Sequence, residues 1–173
     1  MIALDASVLI AHLQPNDAHH AAATRLLSRA VGEGYVAHSM TLAEVLVGAV
    51  LAGRGEEMLG DLVAIGVCVL DRDDGESLRL ANLRATTGLK LPDCCVLLAA
   101  EIVGGAVATF DDRLAEAARA LGFRVKPEPG TPFTSKSVDQ PGRRRGTCSR
   151  AVGTSTEGID DAIKSAIARA AAD

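Results

Sequence analysis

The sequence predicts an α/β fold, a parallel sheet covered by helices on both faces, followed by a tail of different character. Three observations carry this. Short apolar runs alternate with helical patterns through residue 126. Aromatic residues are scarce (three Phe, one Tyr, no Trp), so the core is aliphatic. At Pro127 the composition turns to Pro, Gly, Ser and Thr without sustained periodicity. A chain of 173 residues with 48% hydrophobic content is long enough to bury one sizeable core.

The expected strands are Ile2–Leu4, Tyr35–His38, Val67–Leu70, Ala106–Thr109 and Arg124–Lys126. Apolar content resumes at Val8, Leu9 and Ile10. DAHHAAATRLLSRAV then places Ala22, Leu26, Leu27 and Ala30 on one helical face. TLAEVLVGAVLAG opens at a plausible cap, Thr41, and GEEMLGDLVAIG follows. DGESLRLANLRATTG is closed by Gly88. LPDCCVLLAAEIVGG has Pro92 at the first helical position and two glycines at its end, and DDRLAEAARALG ends at Gly122. The domain organisation is therefore a compact region over 1–126, a flexible linker over 127–158 and a short amphipathic helix over 159–172. That last helix carries a stripe of Ile159, Ile163, Ile167 and Ala170. Alone in water it is marginal, so it is expected to need a docking surface on this chain or on a partner.

Bulk properties narrow the function. Few aromatics argue against stacking platforms for single-stranded nucleic acid. The net charge of −4 speaks against nonspecific nucleic-acid binding, and it sits in the front part, where 16 acidic residues face 11 basic ones. Cys68, Cys94, Cys95 and Cys148 have neither metal-ligand spacing nor the look of a disulfide framework. The N-terminus shows no basic segment leading into a signal-peptide core, and the longest apolar stretch is interrupted by Glu44. A reducing cytoplasm is the expected compartment.

Four acids stand in unfavourable places. Asp5 ends the first strand, Glu44 sits in an apolar helix, Asp93 opens another, and Asp111 follows AVATF. In an open α/β sheet, ligands bind in the crevice outside the carboxyl ends of the strands. Asp5 and Asp111 are expected at such ends, and Glu44 and Asp93 in first helical turns near the same edge. Converging carboxylates repel and raise one another's pKa values, and a divalent cation removes the conflict. Mg²⁺ or Mn²⁺ prefers oxygen ligands and needs neither sulfur nor imidazole. Such a cluster suits water attack on a phosphodiester. Ser7 and Thr109, each two residues from an acid, are placed to orient carboxylates through their hydroxyls. Each acid also has an ordinary explanation. Asp5 is a turn or cap residue, and Asp93 favours a helix N-terminus. Asp111 or Asp112 is an N-cap, and Glu44 completes a capping box with Thr41. The joint placement is the signal.

MIALDASVLI, TLAEVLVGA, GLKLPDCCVLLAA and VATFDDRL, in this order, resemble the PIN-domain ribonucleases, and more narrowly the VapC toxins of type II toxin–antitoxin modules. The match covers roughly residues 1–126. The resemblance implies a three-layer α/β/α fold and a Mg²⁺- or Mn²⁺-dependent endoribonuclease. It assigns catalysis and metal binding to Asp5, Glu44, Asp93 and Asp111, with Ser7 and Thr109 in support. It also implies a homodimer and a cognate antitoxin. Cys94, Cys95 and Glu101 depart from the small residues usual there, without touching the acids, and the tail is longer than the family's.

Among basic residues, Arg113 beside the site is the best phosphate candidate, with Arg25, Arg29 and the run Arg143–Arg145 as further cations. His19 and His20 point apart on a helix and read as surface residues. Cys94 and Cys95 read as small buried hydrophobes. Two other functions compete. A phosphorelay receiver-like module would use Asp71 and Lys126, but Asp5 is followed by Ala6 where an acid is needed. A PIN-fold binding or regulatory protein with weak or no cleavage is opposed by the presence of all four acids.

Overall fold

The computed structural model describes residues 1–71 and 74–127. In chain order these form β1 (Ile2–Leu4), α1 (Ala6–Leu13), α2 (His20–Arg29), a 3₁₀ turn (Val31–Glu33), β2 (Tyr35–Ala37), α3 (Ser39–Leu51) and α4 (Gly55–Ala64). They continue with β3 (Val67–Val69), α5 (Glu76–Thr87), α6 (Leu91–Val103), β4 (Ala106–Ala108), α7 (Asp112–Ala120) and β5 (Val125–Lys126). The expected linker, the basic run Arg143–Arg145 and the helix over 159–172 lie outside the described residues.

The strands pair in parallel in the order β3-β2-β1-β4-β5. The chain builds β1, β2 and β3 outward to one side, then crosses to lay β4 and β5 on the other. The two strands flanking that reversal are β1 and β4, and their carboxyl ends bound the crevice where such sheets bind ligands. This order differs from the receiver arrangement 2-1-3-4-5.

Strand side chains alternate between two cores, as a pleated strand requires. Ile2, Leu4, Tyr35, Ala37 and Ala108 point to one face, covered by α1, α2, α3 and α4 through Val8, Leu9, Leu27, Leu42 and Leu62. Ala3, Val36, Val107 and Val125 point to the other, against Cys94, Val96, Leu97 and Ala100 of α6 and Leu114 and Ala118 of α7. The result is a three-layer α/β/α sandwich. Helix α6 is buried continuously from Cys94 to Ala100, as suits a helix against the middle of the sheet.

One segment carries no expectation, and two local expectations need correction. Residues 6–13 form α1, although their sequence shows no helical period. The segment is apolar nearly throughout, and packing of Ala6, Val8, Leu9 and Ala11 decides its conformation. Helix α3 starts at Ser39 rather than at Thr41. His38 is the cap, with extended backbone (ψ 148°) and Nδ1 accepting the Met40 N–H at 3.1 Å. Thr41 is therefore buried inside the helix, no capping box with Glu44 forms, and Glu44 falls in the second turn. Helix α6 starts at Leu91, so Pro92 is its second residue, still among those whose N–H has no intrahelical partner.

Two glycines are required by geometry. Gly88 closes α5 at φ 67°, in the left-handed region. Gly105 lies so close to the N-terminus that a Cβ there would stand 2.2 Å from the Met1 carbonyl oxygen. No helix among the described residues is long and apolar enough to cross a membrane.

Candidate active site

Asp5 is the residue after β1 and the N-cap of α1, yet its side chain caps nothing. Its N–H extends the β1–β4 ladder to the Ala108 carbonyl at 2.9 Å, which places it beside Thr109. Two hydroxyls donate to one carboxylate oxygen: Ser7 Oγ to Asp5 Oδ2 at 2.5 Å and Thr109 Oγ1 to the same atom at 2.7 Å. Each hydroxyl is in turn held as an acceptor. Ser7 Oγ receives the Phe110 N–H at 3.0 Å, and Thr109 Oγ1 receives the Asp111 N–H at 2.9 Å. Both protons are thus committed to Asp5, and the 3.5 Å between the two hydroxyls is contact rather than a third bond. This network fixes the orientation of the Asp5 carboxylate and leaves Oδ1 without a hydrogen-bond partner among the described residues.

The other two aspartates repeat the pattern. Asp111 is the N-cap of α7 and accepts the Leu114 N–H on Oδ1 at 2.8 Å. Asp93 is the third residue of α6 and reaches back to accept the Lys90 N–H on Oδ2 at 3.2 Å. The ordinary explanations of these two acids are therefore correct for one oxygen each. The second oxygen of each has no partner among the described residues.

Asp93 is coupled electrostatically to both Asp111 and Asp5. Burial raises its pKa above the usual value, the two neighbouring carboxylates raise it further, and the bond from the Lys90 N–H works against them. Asp5, Asp93 and Asp111 thus share one electrostatic neighbourhood with Ser7 and Thr109. Glu44 is exposed on α3 and has no hydrogen-bond or ion-pair partner among the described residues. Arg113 is exposed and donates from Nη2 to the Gly88 carbonyl at 2.9 Å, tying the start of α7 to the loop before α6. Glu101 pairs with Arg79 of α5 at 3.1 Å, away from the acids. Cys94 and Cys95 are buried, and burial pushes the Cys95 thiol up to about 11, which keeps it protonated and unreactive.

A PIN domain model matches residues 2–120, more than half of the chain. The chain belongs to the PIN domain family. No curated protein matches it. PIN domains are typically metal-dependent nucleases and usually bind divalent metals, so the family supports a hydrolase in general.

The donor chemistry of this PIN domain fits a hard divalent cation, since three oriented carboxylates each keep one oxygen without a partner among the described residues. Their spacing sets a limit. No three His, Cys, Asp or Glu side chains among the described residues stand close enough together to hold one ion. Among the described residues, an ion here would bind directly through one or two carboxylates and complete its shell with water. One feature escaped the sequence reading. The ring of His19 stacks on Phe110, the residue between Thr109 and Asp111, with centroids 4.5 Å apart and planes 12° from parallel. Nothing local in the sequence signals that pairing.

Proposed function

We propose that this PIN domain protein is a metal-dependent endoribonuclease that hydrolyses RNA phosphodiester bonds, the toxin component of a type II toxin–antitoxin module of the VapC kind. The observation that supports this reading most is Asp5 at the β1–β4 reversal, oriented by Ser7 and Thr109 and sharing its neighbourhood with Asp93 and Asp111. The candidate ligands for Mg²⁺ or Mn²⁺ are Asp5, Asp93, Asp111 and Glu44, of which one or two would hold an ion directly and the others through its waters. When bound, it supplies a Lewis acid for activating water and stabilising the leaving oxygen. The chain's own residues do the rest. Ser7 and Thr109 hold Asp5 in one rotamer, the N–H groups at the starts of α6 and α7 hold Asp93 and Asp111, and Arg113 is the proposed phosphate contact.

The proposed partners are RNA, a second copy of the chain and a cognate antitoxin. Apolar side chains exposed on α3 and α4, among them Val47, Val50, Leu51 and Val63, support a protein partner. The proposed compartment is the cytoplasm, resting on cysteine usage. The alternative is a PIN-fold binding protein with weak or no cleavage. One observation favours it: the absence of three converging ligands among the described residues.

The deciding experiment incubates the full chain with a mixture of structured RNAs in Mg²⁺, in Mn²⁺ and in EDTA, beside Asp5→Asn and Asp93→Asn variants. The nuclease reading expects cutting that needs metal and is lost in both folded variants. RNA binding with no cutting under either metal supports the alternative. Cutting that survives EDTA or either variant overturns the assignment of the site.

A further inference from the structure

We propose that His19 and Phe110 form a stacking ledge for a single unpaired nucleobase of RNA beside the carboxylates. This inference rests on the nuclease reading of the same site and deepens it by naming how the substrate is held. Phe110 is fixed relative to the acids, because its N–H is bound to Ser7 Oγ at 3.0 Å and that hydroxyl donates to Asp5. Its ring packs partly on the core and carries the His19 ring stacked on it at 4.5 Å. His19 is anchored in the turn before α2, where its N–H donates to Asp17 Oδ1 at 2.7 Å. His19 is exposed, so the pair is not a buried core contact.

The remaining described aromatics do different work. Tyr35 is buried and donates its hydroxyl to the Leu27 carbonyl, and Phe123 packs against the α6–α7 core. The scarcity of aromatics rules out a platform for a run of bases, and the exposed ring of His19 offers a face for one. A flat ring stacks on any base, so the ledge holds RNA near the acids without reading sequence. It selects unpaired nucleotides, because a base inside a duplex keeps its faces covered.

The test uses a short single-stranded RNA carrying a fluorescent purine analogue, bound to the full chain in EDTA so that no cutting occurs. The expected result is quenching of the analogue on binding. Binding weakens about fivefold to a hundredfold in His19→Ala and quenching is lost, both being retained in His19→Phe. Phe110→Leu, which keeps an apolar side chain against the core, is expected to match His19→Ala. Unchanged affinity and quenching in His19→Ala, equal binding of a duplex, or no binding by the wild type overturns the ledge. Cleavage in Mg²⁺ is read separately on the same variants. If His19-dependent quenching persists where no RNA is cut, the nuclease reading fails and the ledge stands. If RNA is cut and His19→Ala binds normally, the ledge fails and the nuclease reading stands.

Discussion

Asp5 accepts two hydroxyl protons on one oxygen and still presents the other, which is how a carboxylate is held still without being used up. Thr109 contributes most to this, since it is buried and links Asp5 to the Asp111 backbone. Thr109→Val keeps the shape and removes both hydrogen bonds. The expected result is a 10- to 100-fold loss of RNA cleavage, read from kcat/KM, with a loss of about 1–2 kcal/mol in urea unfolding. Asp93 is held at a cost to the fold. Burial and two like charges raise its pKa, so the fold favours its protonated form. That contribution is complete below the ordinary value of 3.8 and is lost as pH rises through the folded value, leaving an ionised group that destabilises the fold at neutral pH. In metal-free buffer at pH 7, Asp93→Asn is expected to raise the melting temperature, by an amount that solvent screening of this part-exposed group keeps small, while abolishing cleavage. An unchanged or lower melting temperature would contradict the coupling.

At the scale of elements, the helices that carry the acids are positioned by packing on the sheet. Helix α1 illustrates the cost of doing so. It buries His12, whose Nδ1 is 3.0 Å from Thr24 Oγ1 of α2, and stacks it on the ring of His20. Burial lowers the His12 pKa from 6.5, and the neighbouring His20 lowers it further. A base with a depressed pKa stabilises the fold fully above its unfolded value, and that stability is lost as pH falls through the folded value. Urea midpoints are therefore expected to fall as pH drops below about 6.5, with a shallower fall in His12→Gln. Parallel curves for the two proteins would show that another group carries the effect.

The whole molecule depends on one close approach. The chain returns after α6 to lay β4 beside β1, and Gly105 passes the Met1 carbonyl where no side chain fits. Gly105→Ala must push the amino ends of β1 and β4 apart, at the sheet edge opposite the crevice. It is expected to lose about 2 kcal/mol or more in chemical denaturation, with cleavage falling only as far as unfolding explains. A variant as stable as the parent would show that the two segments have room to move.

Much of this was legible in the residues. The alternation of apolar runs and amphipathic stretches determined the α/β class, five strands at nearly their observed places, Gly88 as a helix stop and a cap at Asp111 or Asp112, because these are local consequences of periodicity and backbone preference. Asp5, Asp93 and Asp111 pointed to one edge of the sheet for the same reason, since each ends or begins an element, whereas Glu44 stands in the second turn of α3. Tertiary structure decided the rest. Residues 6–13 carry no period and became helical by packing, and α3 began at His38 because its ring found the Met40 N–H. The coupling of Asp93 to Asp5 and Asp111, the bond from Thr109 to Asp5 and the stack of His19 on Phe110 join groups far apart in the chain. Their distances exist only once β1 and β4 lie side by side.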